Sequence, residues 1–431
     1  MIKKFFFVIL FFISGIASAE VRELVSSYGI KFWYHRDDST PLVNIAIAFK
    51  NCGAAHMEQT KKSVPKLYSN TVFCGSGNYS EEEFREKLQN ISVKLYCDDD
   101  FDNVEFFCKY PKIVSNEAIN LLLLALNSPK FEKKEVEKNK FEISYQLGNY
   151  QTAPVSWCKN VMIPKILFAN HPYGNGFGNS EDALKLNRND LEVFHKKYIV
   201  RSNIELCIFG DVSESEAIRL ADKILASLPQ GKKSEDNIAD AEAVFKNFSR
   251  NYHYEGPQSY ILFALPNILK NSERKFATFI LYRILGSGQF KSKIMERLRS
   301  ELGLIYGGRL SKVEYKHSCF EIGSLQTSNK NTNTAIDEIK LLLKQLKEKG
   351  ISQEELDFAK SNIRGTFLVR LRTAEDLCNF YMTKKLQGCS LNILEEFLQG
   401  ISSVTLEQVN SVAKELLDEN NLPVIVIGGK E

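Results

Sequence analysis

Histidine is scarce in this 431-residue chain, and its six copies (His35, His56, His171, His195, His253 and His317) include no two that lie three to five positions apart. No helix can therefore present two imidazoles one turn apart on a common face, the arrangement by which helices hold zinc. There is no Cys-x-x-Cys either, and the nine cysteines are an odd number, so at least one stays unpaired within the chain even in an oxidising compartment. Cys207, inside the apolar run Ile204 to Phe209, reads as a small buried hydrophobe. Beyond the N-terminus no segment has the roughly 20 uninterrupted apolar residues of a bilayer span. Charge of one sign is missing as well: 56 Lys and Arg face 53 Asp and Glu, a net +3, which gives no field for nucleic acid or an acidic surface. Two local patterns lack their partners. Asp98-Asp99-Asp100-Phe101-Asp102 has neither the glycine nor the terminal glutamate of a calcium loop, and reads as the solvated tip of a hairpin between Val93–Cys97 and Val104–Cys108. Gly286-Ser287-Gly288 follows the apparent helix Phe276–Leu285 without a Lys-Ser or Lys-Thr, and reads as a helix-ending turn rather than a phosphate loop. His171, followed by Pro172, reads as a turn or packing residue.

What is present describes a globular protein: 44% hydrophobic, 25% charged, and a mean hydropathy of -0.23. The length suits two domains of about 200 residues each. Lys3 and Lys4, the apolar run Phe5–Ile13 and the small-x-small site Ala17-Ser18-Ala19 read as an export signal over residues 1–19, with an uncleaved anchor as the alternative. Cleavage there starts the mature chain at Glu20, lowers the net charge to +1 and implies an exported, periplasmic protein with no transmembrane span.

The chain also repeats itself. A shift of 218 residues lays the helix start Asn187–Asp190 on Thr405–Gln408, then Leu191 on Val409, Phe194 on Val412 and Tyr198 on Leu416 without a gap. The strand Leu206–Phe209 falls on Val424–Ile427, and both copies stop at glycine, Gly210 and Gly428. Each half opens with an apolar strand (Leu42–Phe49, Ser259–Leu265), and helices near Glu135–Gln146 and Glu355–Arg370 correspond. Similarity at one long interval means duplicated domains. The polar, turn-rich stretch after Pro229 is the natural linker, which gives domains of 20–230 and 245–431 joined by 231–244. The expected class is α+β, each domain a largely antiparallel sheet packed with helices.

One segment carries functional information: Arg297-Leu-Arg-Ser-Glu-Leu-Gly-Leu-Ile-Tyr306, preceded by Leu285-Gly-Ser-Gly288 and Ser292-Lys-Ile-Met295. Together with Phe168-Ala-Asn-His-Pro-Tyr-Gly174 and the helix and strand Leu191–Val212, it resembles the pitrilysin and mitochondrial-processing-peptidase superfamily, the inverted zincins, over nearly the whole mature chain. The resemblance implies two homologous domains forming half of a clamshell. It also implies that Arg299 and Tyr306 hold a peptide substrate while zinc, bound elsewhere by His-x-x-Glu-His and a later carboxylate, cuts it. Anchoring on Thr71-Val-Phe-Cys-Gly-Ser76 puts Lys66, Ser69 and Asn70 where His, Glu and His belong, and Gln146 at the distal carboxylate. An ammonium repels zinc, serine is no base, and neutral amides are poor ligands. A register from His56 fails too, with Gln59 and Thr60 in place of Glu and His.

The chain is thus expected to hold no catalytic residue and no metal of its own. It resembles the subunit of a two-chain bacterial type that lacks the zinc motif, with zinc in a similar-sized partner carrying His-x-x-Glu-His. The implied role is to bind an unfolded peptide and assist its proteolysis in trans, Arg299 and Tyr306 donating to substrate backbone or oxyanion. The competing reading is a non-enzymatic homodimeric peptide-binding or scaffold protein of the same fold, with Arg299 a solvated helix residue and Tyr306 a half-buried hairpin residue.

Overall fold

A computed structural model describes residues 20–148, 150–151, 153–268, 272–288 and 291–429; the expected export signal lies outside them. Among the described residues eleven strands form two sheets. The first holds β1 (Arg22–Val25), β2 (Lys31–Arg36), β3 (Leu42–Phe49), β4 (Lys94–Asp99), β5 (Val104–Pro111) and β6 (Ile204–Gly210) in the order β1-β2-β6-β3-β5-β4. The second holds β7 (Phe248–His253), β8 (Gln258–Pro266), β9 (Ile305–Glu314), β10 (Cys319–Ser328) and β11 (Pro423–Gly428) in the order β7-β11-β8-β10-β9. Apart from β1 the two orders are the same. In each sheet one pair is parallel, β2 with β6 and β7 with β11, and the other pairs are antiparallel. The α+β class with two duplicated, largely antiparallel sheets is what the repeat required.

The corresponding segments agree in detail. The helices Arg188–Tyr198 and Leu406–Leu416 both begin with a capping box, Asn187 with Asp190 and Thr405 with Gln408. Each cap satisfies two otherwise orphaned amides, at about 1 kcal/mol. The long helices run Lys133–Gly148 and Gln353–Arg370. The helix Lys275–Tyr282 continues as a wider π-helical turn over Arg283–Ser287, so the expected break comes only at Gly288; within it a Cβ on Gly286 would lie 2.7 Å from the Leu310 Cβ, so this glycine serves close packing.

The central strands are apolar throughout because both faces are covered. In β3, Val43, Ile45, Ile47 and Phe49 face the helices of their own half, whereas Ala46 and Ala48 face away, beside Cys207 and Phe209 of β6. Covering this second face is the helix Ala374–Leu386 of the other half, through Leu377, Cys378, Tyr381 and Met382. The exchange is reciprocal. Trp157, Ile163, Leu167 and Phe168, from the helical turns between Pro154 and Phe168, pack on Leu262, Ala264, Ile425 and Ile427 of the second sheet. Each large side chain buried this way contributes about 1.5–3 kcal/mol, so each half depends on the other for part of its core.

The stretch 231–244 has no regular structure, yet it is tied down at several points. Ser234 exchanges hydrogen bonds with Asn203, the Ala241 amide donates to the His317 carbonyl, and the Val244 amide donates to the Leu167 carbonyl. All nine cysteines are free thiols, and Cys207 is buried as expected.

The aspartate run departs from expectation. Its hairpin forms and Asp98 and Asp100 are exposed, but the rest of the tip is not solvated: Phe101, Asp102 and Asn103 are buried where the two halves meet. The Tyr173 hydroxyl donates to Asp102 at 2.9 Å, the Lys316 amide of the other half donates to the same carboxylate at 2.9 Å, and His56 stands 3.6 Å away. Gly53 makes this approach possible, since a Cβ there would lie 2.4 Å from the Asp100 carbonyl oxygen. Charge density suggested solvent, but a carboxylate that is fully hydrogen-bonded tolerates burial.

Candidate functional site

The helix Val64–Thr71 carries the three residues that stand where His-x-x-Glu-His would lie. Lys66 points its ammonium at Asp99 of β4, 3.2 Å from Oδ1, and the Ser69 hydroxyl donates to the same oxygen at 2.6 Å. The Asp99 side chain is 0% exposed, and its Oδ2 has no hydrogen-bond partner. Burial pushes the Asp99 carboxyl above its ordinary range, against the pull of Lys66 and Ser69. For Lys66 burial works to lower the pKa, but Asp99 outweighs it and the net shift is upward. The Lys66 ammonium thus has one buried carboxylate as its counter-ion.

These residues do not fit zinc. Gln146 is exposed at the end of its helix, where its amide donates to Glu142 at 3.2 Å. Among the described residues no group of three His, Cys, Asp or Glu could hold a metal. The alternative register fares no better: His56 ends a short turn beside Asp102, and Gln59 and Thr60 follow it in place of Glu and His.

Asp99 was not singled out from the sequence, although a signal for it exists. Leu95 and Cys97 of β4 pack against the first core, and the two-residue period of a strand sends Asp99 to the same side. His195, which no spacing pairs with another histidine, has a structural role. Its Nδ1 meets the Tyr68 hydroxyl at 2.9 Å, and burial lowers its pKa to about 4, so it stays neutral. His171 behaves as expected of a turn residue, its Nδ1 accepting from the Tyr173 amide at 3.2 Å.

Arg299 lies in the helical segment Met295–Glu301 and Tyr306 is the second residue of β9. The chain reverses between them at Gly303, whose φ of +61° is one that L side chains rarely adopt. The Gly303 amide donates to the Arg299 carbonyl and the Leu304 amide to the Leu298 carbonyl, closing the helix. Thr327 fixes the start of the strand by donating to the Leu304 carbonyl. Leu298 is wholly buried while Arg299 is exposed and Tyr306 is 57% exposed, so the buried leucine anchors a turn that leaves both polar side chains on the surface. β9 is an edge strand of its sheet.

The duplicated sheets and the helices exchanged between them define a two-domain α+β scaffold. Residues 31–180 match the family model of the insulinase-type M16 peptidases, and residues 185–363 match the model of the peptidase M16 inactive domain. The chain belongs to the M16 peptidase family. It is 24% identical over 433 residues to a Helicobacter pylori protein named a non-peptidase homolog, YmxG, spanning 100% of this chain and 99% of that one. To a Bacillus subtilis relative named an uncharacterized zinc protease it is 22% identical, over 85% of this chain and 89% of the other. A crystal structure from Pseudomonas fluorescens described as a peptidase M16 inactive domain superposes with a TM-score of 0.85 at 19% identity, covering 96% of this chain and 98% of that one.

Proposed function

We propose that the chain is the non-catalytic subunit of an exported M16 metallopeptidase heterodimer, binding an unfolded peptide and assisting its cleavage at a zinc held by the partner. The observation that carries this reading is an asymmetry between two sites. Lys66 and Ser69, at positions that the resemblance gives to the zinc motif, are engaged with the buried Asp99, whereas Arg299 and Tyr306 lie on the surface of a turn held by Gly303. Arg299 supplies several donors in a fixed plane and Tyr306 one, suited to substrate carbonyls or to an oxyanion at the partner's zinc. The partner is a similar-sized chain with an intact His-x-x-Glu-His.

The test is turnover of a peptide by the mixed pair at matched complex concentration. Arg299→Ala and Tyr306→Phe should each slow it by about a hundredfold or more, the usual cost of one oxyanion donor, and leave assembly intact. Unchanged turnover in both variants would turn the conclusion to the competing reading, a non-enzymatic homodimeric peptide-binding or scaffold protein of the same fold.

A further inference from the structure

The stretch 231–244 crosses the junction of the two halves as a strap, and a single imidazole of the second half engages it on both sides. His317 stands at the tip of the β9–β10 hairpin, between Glu314 and Cys319. Its Nδ1 lies 2.9 Å from an Asp240 oxygen, and its Nε2 lies 3.0 and 3.1 Å from the two oxygens of Asp236. On the first half the same strap is held by Asn51 and Asn203 at Ser234 and by His171 at the Ala239 carbonyl. The other polar groups around His317 are Lys316, paired with Asp236 at 2.5 Å, and the Tyr173 hydroxyl, which accepts from the His317 amide at 3.1 Å and donates to Asp102. Burial acts to raise the pKa of Asp236, but Lys316 and His317 outweigh it and hold the carboxyl below its ordinary range.

Ionised carboxylates accept hydrogen bonds and donate none, a neutral imidazole has one N–H, and only the imidazolium donates from both nitrogens. The contacts of His317 are therefore complete only when the ring is charged. In the neutral ring one nitrogen turns a lone pair on a carboxylate oxygen. Lys316 keeps Asp236 in place whatever the charge of the ring, so the end that lets go is Asp240, which is 76% exposed and has no other partner among the described residues. His171 differs, because its Nδ1 accepts from the Tyr173 amide and its Nε2 faces the Ala239 carbonyl, an arrangement that the neutral ring completes.

We propose that His317 is a pH-operated latch on the strap: the imidazolium fastens residues 236–240 to the second half, and loss of one ring proton releases the Asp240 end. Histidine ordinarily changes charge between about pH 5 and 8, so the junction of the two halves is held more firmly on the acid side of that range. The latch does not depend on the peptide-binding reading.

The experiment follows deuterium uptake of the segment 236–244 in the full chain across the range in which histidine titrates, with labelling times scaled to the intrinsic exchange rate at each pH. The titration of the His317 ring is read in the same buffer from its Cε1 proton. Protection of the segment should fall about fivefold as pH rises, with the midpoint of the ring titration, the scale of one charge-assisted hydrogen bond at a partly exposed site. In His317→Gln the fall should vanish. It should vanish in Asp240→Asn as well, with protection kept at high pH, because the asparagine amide donates to the lone pair that the neutral ring turns toward it. A merely structural ion pair would instead be lost in that variant at every pH. Protection that stays constant across the ring titration, or a fall that persists in either variant, would overturn the latch.

Discussion

Replacing Lys66 by methionine tests whether its ion pair with the buried Asp99 holds the helix Val64–Thr71 against β4. The change removes the charge facing Asp99, whose side chain is 0% exposed, and leaves only Ser69 hydrogen-bonded to it. At 3.2 Å and an effective dielectric near 20, the lost attraction is about 5 kcal/mol. Breaking a fully buried pair typically costs about 3–5 kcal/mol. Lys66 is 36% exposed and its ammonium partly hydrated, which reduces the figure. A second relief is available, because burial already favours the protonated Asp99 carboxyl and an unpaired Asp99 can take up a proton. A loss of about 2 kcal/mol at pH 7 is expected. Asp99→Asn in the same background removes the stranded charge and keeps an acceptor for Ser69, so the double variant should recover more than half of that loss. The measurement is a double-mutant cycle from urea unfolding, followed by fluorescence and by circular dichroism, with Trp33 reporting on the same sheet. A coupling of about 1.5 kcal/mol is expected. Additive effects of the two single changes, within about 0.5 kcal/mol, would refute the claim that the ammonium and the carboxylate hold each other in place.

The remaining expectations concern the metal and two buried titrating groups. The purified mature chain should bind no stoichiometric zinc and cleave no peptide alone; one zinc per chain, lost together with activity on chelation, would contradict this. Burial raises Glu321 from 4.5 to about 8, although Asn267 donates to it at 2.7 Å, so the folded chain binds a proton that the unfolded chain releases. Stability should fall as pH rises from about 4.5 to 8, and Glu321→Gln should unfold at higher urea than wild type at pH 8 but not at pH 4. His195 has the opposite sense on the acid side. Its pKa is lowered from 6.5 to about 4, so the unfolded state protonates first and stability should drop between those values as pH falls. His195→Gln should flatten that limb of the pH profile.

Residue order alone determined the duplication, the class of fold and the loss of the metal motif, because these depend on periodicity and on which residues are present. A glycine-stopped apolar strand after a capped helix is a local statement, and it occurs twice. The sites of β3, β8 and both capped helices follow from it directly. Only the tertiary structure decided what the altered residues do. Lys66 and Asp99 are far apart in sequence and become an ion pair because β4 lies beside the helix Val64–Thr71. The aspartate run looked solvated because its charge density is high, yet Asp102 is buried by Tyr173 and by Lys316 from the other half, partners that no local pattern announces. The exchange of helices between the two sheets is non-local in the same way. An apolar run such as Ala46–Phe49 shows that a strand is covered on both faces, but burial is indifferent to which element supplies the cover, and that choice is made when the two halves pack.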